Sequence, residues 1–360
     1  MNQPGLKLTT YFGERQRTVG DGGRPRFLAE ALLDLFDTRG IATSVMLRGI
    51  ASFGPRHVLR TDESLSLSED PPVAIAAVDV ESKIGGLVDD VIAMTGRGLV
   101  TLERARLVSG VDVTVGADDA AKLTVYIGRQ ERVAGLPAHR GVCELLHREG
   151  FSGGAVFLGV DGTAHGERYR AAFFSRNVNV PLMIIAVGTP AQVSAAVAEL
   201  SGIAPRALLT VERVRLCKRG GELFDRPPTL PDTDEQGRPL WQKVMVHTSE
   251  ATTHGGVPIH RALVRRLLES GTARGATVLR GIWGFHGDHK PHGDKLFQLT
   301  RRMPVVTVII DSPESVARSF GIIDELTAEH GLVTSEVVPA VVSVDGPDRD
   351  GDGSLARHDY

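Results

Sequence analysis

The stretch Thr277-Val278-Leu279-Arg280-Gly281-Ile282 decides the fold, because the chain contains it more than once. A second copy reads Ser44-Val45-Met46-Leu47-Arg48-Gly49-Ile50, and a divergent third copy reads Ala155-Val156-Phe157-Leu158-Gly159-Val160. Each copy is a short apolar run that ends in glycine, and two of the three carry an arginine directly before that glycine. Internal repetition fixes the number of structural units. The sequence therefore predicts three copies of one unit.

Other positions recur with the same spacing in every unit. Each unit opens on a short strand with a lysine, has a proline before an apolar run, and ends near a Thr-x-Glu pair. These positions are Lys7, Lys122 and Lys243; Pro72, Pro181 and Pro304; and Thr101/Glu103, Thr210/Glu212 and Thr334/Glu336. The spacing predicts three domains, at residues 1–108, 120–217 and 241–342. Segments 109–119 and 218–240 are interpreted as linkers, and the polar residues 343–360 as a disordered tail.

Within each unit, the hydrophobic pattern predicts the order βαββαβ. Apolar residues at helical spacing follow the first strand, and Gly40 and Gly271 are predicted to end the helices of the outer units. Thr95-Gly96-Arg97-Gly98 is interpreted as the turn into the last strand rather than as a phosphate loop, because no helix follows it. This order is the split βαβ, or ferredoxin-like, arrangement of an α+β fold.

The third strand of each unit is apolar on both faces, as in Val305-Val306-Thr307-Val308-Ile309-Ile310. Two helices cover only one face of a ferredoxin-like sheet, and a large bare apolar face is not tolerated in a soluble monomer. Three sheets of one chain packed around a pseudo-threefold axis would cover the other face. The expectation is thus an intrachain pseudo-trimer, seen in solution as a compact monomer of 38.6 kDa.

Composition excludes several classes of protein. The formal net charge of −3 lacks the basic excess of a nucleic-acid-binding protein. The longest apolar runs are shorter than the roughly 20 residues of a membrane-spanning helix, and Met1–Gly5 do not begin a secretory signal. Two cysteines, Cys143 and Cys217, cannot form a disulfide framework, so a cytoplasmic location is predicted.

The repeated motifs resemble a known family. Leu279-Arg280-Gly281-Ile282-x-Gly284-Phe285, its partner Leu47-Arg48-Gly49-Ile50-x-Ser52-Phe53-Gly54, and Leu67-Ser68-Glu69-Asp70-x-Pro72-Val73 are similar to the bacterial domain-of-unknown-function family 190, which is PII-like. The resemblance implies a ferredoxin-like fold and threefold assembly. It also implies a similarity to PII signalling proteins. These are homotrimers that bind adenine nucleotides between subunits and signal through a long loop.

By this resemblance, the protein is a non-enzymatic regulator that senses a nucleotide or another small anion between its domains. Its signalling loops would be residues 52–64, 161–175 and 284–297, and its partner a protein, with a membrane transporter implied by the PII comparison. The glycine-rich lysine segment of PII nucleotide sites has no match here.

A polar trio recurs in the outer units and is absent from the middle unit. Glu14, Arg48 and Asp79 correspond to Glu250, Arg280 and Asp311, whereas the middle unit has Arg129, Leu158 and Gly188. An arginine beside an apolar strand needs carboxylate or phosphate partners. The trio is interpreted either as an ion-pair cluster at the domain seams or as an anion site. The ligand-binding candidates are Glu14, Arg48, Gly49, Asp79, Glu250, Arg280, Gly281 and Asp311.

Two alternative functions remain open. His286, His289 and His292 alternate with aspartates in one loop and could bind Zn²⁺ or Cu²⁺, as in metal-binding proteins of the cation-tolerance type. Their spacing is not a recognised catalytic zinc pattern, and a solvated loop for partner contact is the simpler interpretation. An enzyme that uses the seam arginines is the third hypothesis, although no catalytic arrangement of residues is recognisable in the sequence.

Overall fold

The computed structural model describes residues 3–20, 23–61, 70–108, 120–171, 179–287, 291–293 and 303–358. The protein is an α+β chain in which the same order of principal strands and helices occurs three times. A short hairpin precedes the first helix of each repeat. The repeat predicted from the sequence is therefore present in the structure.

The elements follow one another in chain order. Repeat 1 contains β1 (Gln3–Gly13), β2 (Arg17–Val19), β3 (Pro25–Phe27), α1 (Leu28–Thr38), β4 (Thr43–Phe53), β5 (Arg60–Thr61), β6 (Pro72–Val80), α2 (Glu81–Gly85), α3 (Val88–Met94) and β7 (Arg97–Val108). Repeat 2 contains β8 (Ala120–Gly128), β9 (Arg132–Val133), β10 (Leu136–Pro137), α4 (Ala138–Arg148), β11 (Gly153–Leu158), β12 (Asp161–Ala164), β13 (Glu167–Arg170), β14 (Pro181–Gly188), α5 (Pro190–Ile203), β15 (Leu208–Arg219) and β16 (Glu222–Leu223). Repeat 3 and the residues after it contain β17 (Trp241–Ser249), β18 (Thr253–His254), β19 (Val257–Pro258), α6 (Ile259–Ser270), β20 (Ala276–Arg280), β21 (Trp283–His286), β22 (His292–Gly293), β23 (Pro304–Asp311), α7 (Pro313–Leu326), β24 (Leu332–Val338), β25 (Ala340–Asp345) and β26 (Asp348–Asp350).

The first helix of each outer repeat has the apolar stripe that its sequence predicts. In α6, Ile259, Leu263 and Leu267 recur every four residues and are fully buried. The helix ends at Gly271, whose φ of 63° lies in the left-handed region that favours glycine. Gly40, with a φ of 57°, similarly follows α1. Both predicted helix ends are confirmed.

The four long strands of each repeat pair in the same antiparallel order. In repeat 1, β1 lies between β6 and β7, and β4 lies on the other side of β6. The order β4-β6-β1-β7 recurs as β11-β14-β8-β15 in repeat 2 and as β20-β23-β17-β24 in repeat 3. The helices of each repeat pack on one face of its four strands and form a hydrophobic core there. A few residues of a neighbouring repeat complete these cores, such as Phe285 in that of repeat 2 and Phe53 in that of repeat 3.

The third strand of each repeat buries side chains on both faces, as its sequence predicts. In β23, Val305 and Ile309 pack against the helices of repeat 3. Val306, Val308 and Ile310 point the other way, into a central cluster that also contains residues of repeats 1 and 2. The second apolar face is therefore covered by the rest of the same chain.

Backbone pairing joins each repeat to both of the others. The last strands make one set of contacts, in which β7 pairs with β15, β15 with β24, and β25 with β7. The second strands and their extensions make another set, in which β4 pairs with β20, β21 with β11, and β12 with β4. Both sets return to the repeat where they began, so the strands form one large antiparallel sheet.

The linker 218–240 and the C-terminal residues up to 358 are ordered, which corrects the expectation of a disordered tail. β25 pairs with β7, and Ala356 is fully buried. Asp234 fastens the linker to the C-terminal segment, because one of its carboxylate oxygens accepts hydrogen bonds from the Arg238 guanidinium and the Arg357 backbone N–H. The polar composition misled the prediction, because strand pairing, hydrogen bonds and a few buried apolar side chains order this segment.

No helix among the described residues has both the length and the apolar character needed to cross a membrane.

Candidate functional site

Two members of the predicted polar trio contact each other in both outer repeats. The Arg48 guanidinium donates to Glu14 Oε1 from Nε at 2.8 Å and from Nη2 at 2.5 Å. Arg280 Nη2 lies 2.6 Å from Glu250 Oε1. The arginine therefore has the carboxylate partner that the sequence predicts, and this geometry matches the ion-pair interpretation.

The third member of the trio lies elsewhere, which corrects the prediction that the three residues act together. Asp79 is at the far end of β6 from Pro72, the residue that pairs with Gly13 beside Glu14. Seven residues of extended strand separate these ends by about 23 Å. Asp79 accepts hydrogen bonds from the backbone N–H groups of Ala42 and Val80, at 2.8 and 2.7 Å. Asp311 does the same for Arg274 and Ser312, so both aspartates fix the start of the second strand.

Gly49 and Gly281 lie where two repeats approach each other closely. A Cβ atom on Gly49 would stand 2.9 Å from the Val278 carbonyl oxygen, and one on Gly281 would stand 2.8 Å from the Val156 carbonyl oxygen. Both oxygens belong to a neighbouring repeat. The close approach of the strands is a sufficient reason for glycine at these positions, whether or not a ligand binds nearby.

The histidine-rich loop is only partly described. His286 ends β21, where it pairs with Gly153 of repeat 2. His289 lies outside the described residues, and for His292 the structure gives the backbone of β22 only. The metal site predicted from these three histidines therefore stays a prediction.

Six charged residues at recurring positions of the three repeats meet in the interior of the molecule. Lys7 contacts Glu103 and Glu212 at 2.9 and 3.2 Å. Lys122 lies 2.6 Å from both Glu212 and Glu336. Lys243 lies 2.7 Å from Glu336 and also contacts Glu103, which completes a closed ring. Each lysine thus joins the glutamate of its own repeat to that of a neighbouring repeat.

The buried ring is an ion-pair cluster rather than an evident metal site. Its three glutamates have oxygens within 4.8 Å of one another, which is a spacing that a metal ion could bridge. The lysine ammonium groups already supply the positive charge that a metal would bring. Burial by itself raises the pKa of Glu212, but the ammonium groups of Lys122 and Lys7 outweigh it and hold this pKa at about 2.

An open cleft lies between repeats 1 and 3, with a volume of about 610 Å³. Its lining contains six arginines and two aspartates, so it carries a surplus of four positive charges. Apolar side chains of both repeats also contribute to the wall. The charged residues are Arg15, Arg17, Arg56, Arg60, Arg97, Arg274, Asp70 and Asp345. A cleft with this excess of guanidinium groups suits an anion, because arginine binds carboxylate and phosphate with two parallel hydrogen bonds.

The cleft arginines are held by carboxylates that come from several elements. Asp345, at the end of β25, accepts from Arg56 Nε at 2.7 Å and from Arg97 Nε at 2.8 Å. The hydrogen bond from Arg56, and after it the one from Arg97, lowers the pKa of Asp345. Arg274 lies over the Trp241 ring and donates to Asp350 at 2.9 Å. The guanidinium groups are therefore oriented before any ligand binds.

The start of β7 lies at the edge of the cleft. Gly96, directly before the strand, and its first residues Arg97 and Gly98 line the cleft, so the segment interpreted as a turn also contributes to the candidate site. Gly98 has a φ of 149°, and a Cβ there would overlap the Tyr11 carbonyl oxygen. Trp241, another lining residue, has a buried indole N–H with no hydrogen-bond partner among the described residues.

The corresponding seams of the molecule have different chemistry. Between repeats 1 and 2, Arg168 pairs with Asp161 and Asp34, so its guanidinium is already neutralised. Between repeats 2 and 3, Trp283 packs against Arg140 and His139. The three seams are thus not equivalent, which agrees with the divergence of the middle repeat.

None of the trio arginines or glutamates lines the cleft; Arg56, Arg97 and Arg274 do. Arg56 and Arg274 could not be found from the repeats, because the corresponding positions in the other repeats have no arginine. Arg97 corresponds to Arg206 of repeat 2, and glycine beside arginine, as in Gly96-Arg97-Gly98 and Arg274-Gly275, is a signal that could have found Arg97 and Arg274.

Comparison with known families fits this architecture. The model of domain-of-unknown-function family 190, described as "Uncharacterized ACR", matches residues 5–107, 120–216 and 241–340. The chain belongs to this family. The resemblance inferred from the sequence is confirmed, once for each repeat. A relative, a UPF0166 protein of Aquifex aeolicus (strain VF5), is 37% identical over 97 residues, which are 27% of this chain and 89% of the relative. That relative therefore corresponds in length to about one repeat.

Proposed function

We propose that the protein is a PII-like regulator that senses a small anionic ligand in the cleft between repeats 1 and 3. The arginine surplus in a cleft formed by two repeats is the observation that carries this proposal. Apolar residues such as Phe12, Phe53 and Ile310 line the same space. An adenine nucleotide has this combination of an apolar ring and anionic phosphates, and is therefore the candidate ligand.

We further propose that each repeat is a ferredoxin-like domain and that the three pack as an intrachain pseudo-trimer. The recurring strand order in the three repeats supports this arrangement. The central apolar cluster and the buried ring also support it, because both draw equivalent residues from all three repeats. In this arrangement the cleft is an inter-domain site.

The proposed mode of action is binding rather than catalysis. Both cysteines are buried, and burial raises the pKa of Cys217 to about 12, so neither thiol is available as a nucleophile at neutral pH. The absence of a disulfide between them suits a cytoplasmic protein. The signal would pass through the loop after β4, because its residues Arg56 and Val58 line the cleft while more than half of the Val58 surface stays exposed to a protein partner.

Isothermal titration calorimetry with ATP and with inorganic tripolyphosphate tests the proposal directly. One high-affinity site per chain is expected, and the ligand should raise the melting temperature because it binds the native state only. The double variant Arg56→Gln/Arg97→Gln removes two guanidinium groups from the cleft. Its affinity for either ligand should fall at least tenfold, since charge-assisted hydrogen bonds to an anion are lost.

Arg148→Gln/Arg318→Gln is the matched control, because both are exposed arginines that pair with glutamates outside the cleft. It changes the net charge by two, as the cleft variant does, without touching the lining. Binding at three equal sites, or equal losses in the control and the cleft variant, would contradict the proposal.

A further inference from the structure

The hairpin formed by β25 and β26 presents two carboxylates to the cleft arginines. Asp345 accepts hydrogen bonds from Arg56 and Arg97, which both belong to repeat 1. Five residues further on, Asp350 accepts from Arg274 of repeat 3 at 2.9 Å. The hairpin therefore connects to both walls of the cleft through the groups that would bind an anionic ligand.

A carboxylate and a phosphate compete for the same face of a guanidinium group. Arginine recognises both through parallel N–H donors, so the donors used by Asp345 cannot serve a ligand at the same time. The side chains of Arg56, Arg97 and Arg274 are each more than half exposed. Ion pairs between groups this exposed are weak, so a ligand with higher charge can displace the hairpin.

We infer that the β25–β26 hairpin is a built-in competitor for the anion, with Asp345 and Asp350 occupying the arginines of the empty cleft. This inference rests on the proposed function, because it concerns the regulation of the same site. A ligand with two or more oxyanion groups replaces both carboxylates, whereas a single oxyanion replaces one. The cleft therefore favours polyphosphate-type ligands over orthophosphate.

Displacement of the hairpin connects the cleft to the C-terminal segment. The backbone N–H of Gly346, at the hairpin turn, donates to the Gly96 carbonyl oxygen at 2.9 Å, and β25 lies against β7. Beyond the hairpin, the backbone N–H of Ala356 donates to the Pro339 carbonyl oxygen. Ligand binding thus loosens an ordered segment at the surface, which is a change that a partner could detect.

Calorimetric titration with inorganic tripolyphosphate, in low-salt buffer, measures the competition. Asp345→Asn/Asp350→Asn removes both competing charges and should bind tripolyphosphate about tenfold more tightly than the wild type, because the competent state of the cleft becomes more populated. Asp348→Asn is the control, since Asp348 pairs with Asp345 across the same hairpin and no contact of its carboxylate with a cleft arginine is found among the described residues. It should leave the affinity within about twofold.

Hydrogen exchange gives a readout that does not depend on affinity. Tripolyphosphate should speed amide exchange in residues 340–350 of the wild type, and orthophosphate should do so less. Equal affinity in the double variant and the wild type, or an equal gain in Asp348→Asn, would overturn the competition while leaving ligand binding intact. Failure of every variant to bind tripolyphosphate would overturn the competition and the proposed function together.

Discussion

Lys122 and Glu212 form an ion pair of the buried ring although neither has more than 2% of its side-chain surface exposed. Removing a charge from water is costly, and only partners with good geometry offset this cost. Each member of the buried ring has two oppositely charged neighbours from different repeats. Such a ring adds little net stability compared with an apolar core, but it strongly disfavours any packing of the repeats that would separate a lysine from its two glutamates.

Removing one carboxylate from the ring should therefore destabilise the protein. Glu103→Gln leaves Lys7 and Lys243 with one carboxylate partner each, and a loss of about 3 kcal/mol in the free energy of unfolding is expected. Urea denaturation measures it. The double variant Glu103→Gln/Lys243→Gln should lose less than the sum of the two single variants. Additive losses would mean that the two residues are not coupled.

His247 occupies the position that Tyr11 and Tyr126 occupy in the other repeats, four residues after the ring lysine. Burial lowers the pKa of His247 to about 3, with the positive charges of His286 and Lys122 acting in the same direction. The unfolded chain has an ordinary histidine pKa near 6.5. Between these values the unfolded state binds the proton and the folded state does not, so stability falls as the pH decreases from about 6.5 towards 3.

His247→Tyr should remove this part of the acid sensitivity, because tyrosine does not titrate in this range. The free energy of unfolding of the wild type should fall by about 3 kcal/mol more than that of the variant between pH 7 and pH 4. Denaturant unfolding at a series of pH values gives the comparison. Parallel pH profiles for the two proteins would show that His247 does not carry the effect.

At the scale of the element, the start of β7 lines the cleft and also contains Gly98, a position that constrains the backbone. Gly98→Ala puts a Cβ against the Tyr11 carbonyl oxygen at a φ that alanine rarely adopts. A loss of about 2 kcal/mol or more in stability is expected, together with weaker anion binding, since Arg97 is displaced. Gly54→Ala is the control, because a Cβ on this other cleft glycine would have no atom within 4 Å. Similar melting temperatures for the two variants would contradict the constraint at Gly98.

The hydrogen bonds of Asp234, which join the linker to the C-terminal segment, are a second feature at this scale. Asp234→Ala removes the acceptor for Arg238 and for the backbone of Arg357. The C-terminal segment should then become more sensitive to limited proteolysis, while the strands of the three repeats stay protected. Cleavage at the same rate as in the wild type would show that other contacts, such as the buried Ala356, are enough to hold the segment.

The elements themselves could be predicted from the sequence, because the apolar pattern of each strand and helix is a local property. The two apolar faces of β23 even predicted that the rest of the chain covers it. The cleft could not be predicted, because Arg56 and Asp345 are 289 residues apart and meet only in the folded chain. The position of Asp79 could not be predicted for a related reason. Spacing along the chain does not show that Asp79 and Glu14 lie at opposite ends of the paired strands β6 and β1.

At the scale of the whole molecule, the three repeats should unfold as one unit. They share the central cluster and the buried ring, so the loss of one repeat exposes the apolar face of the others. Calorimetry should give one transition whose van't Hoff and calorimetric enthalpies agree. Sedimentation should give a particle of 38.6 kDa. Three separate transitions, or an obligate trimer of chains, would contradict this architecture.

The covalent linkage of the three repeats in one chain has a consequence for how the protein responds in a cell. An assembly of separate subunits falls apart on dilution, so its site between subunits depends on the expression level. Here the two walls of the cleft are segments of one polypeptide, and their effective concentration is set by the chain itself. The fraction of occupied clefts should therefore follow the ligand concentration alone, even when only a few copies of the protein are present.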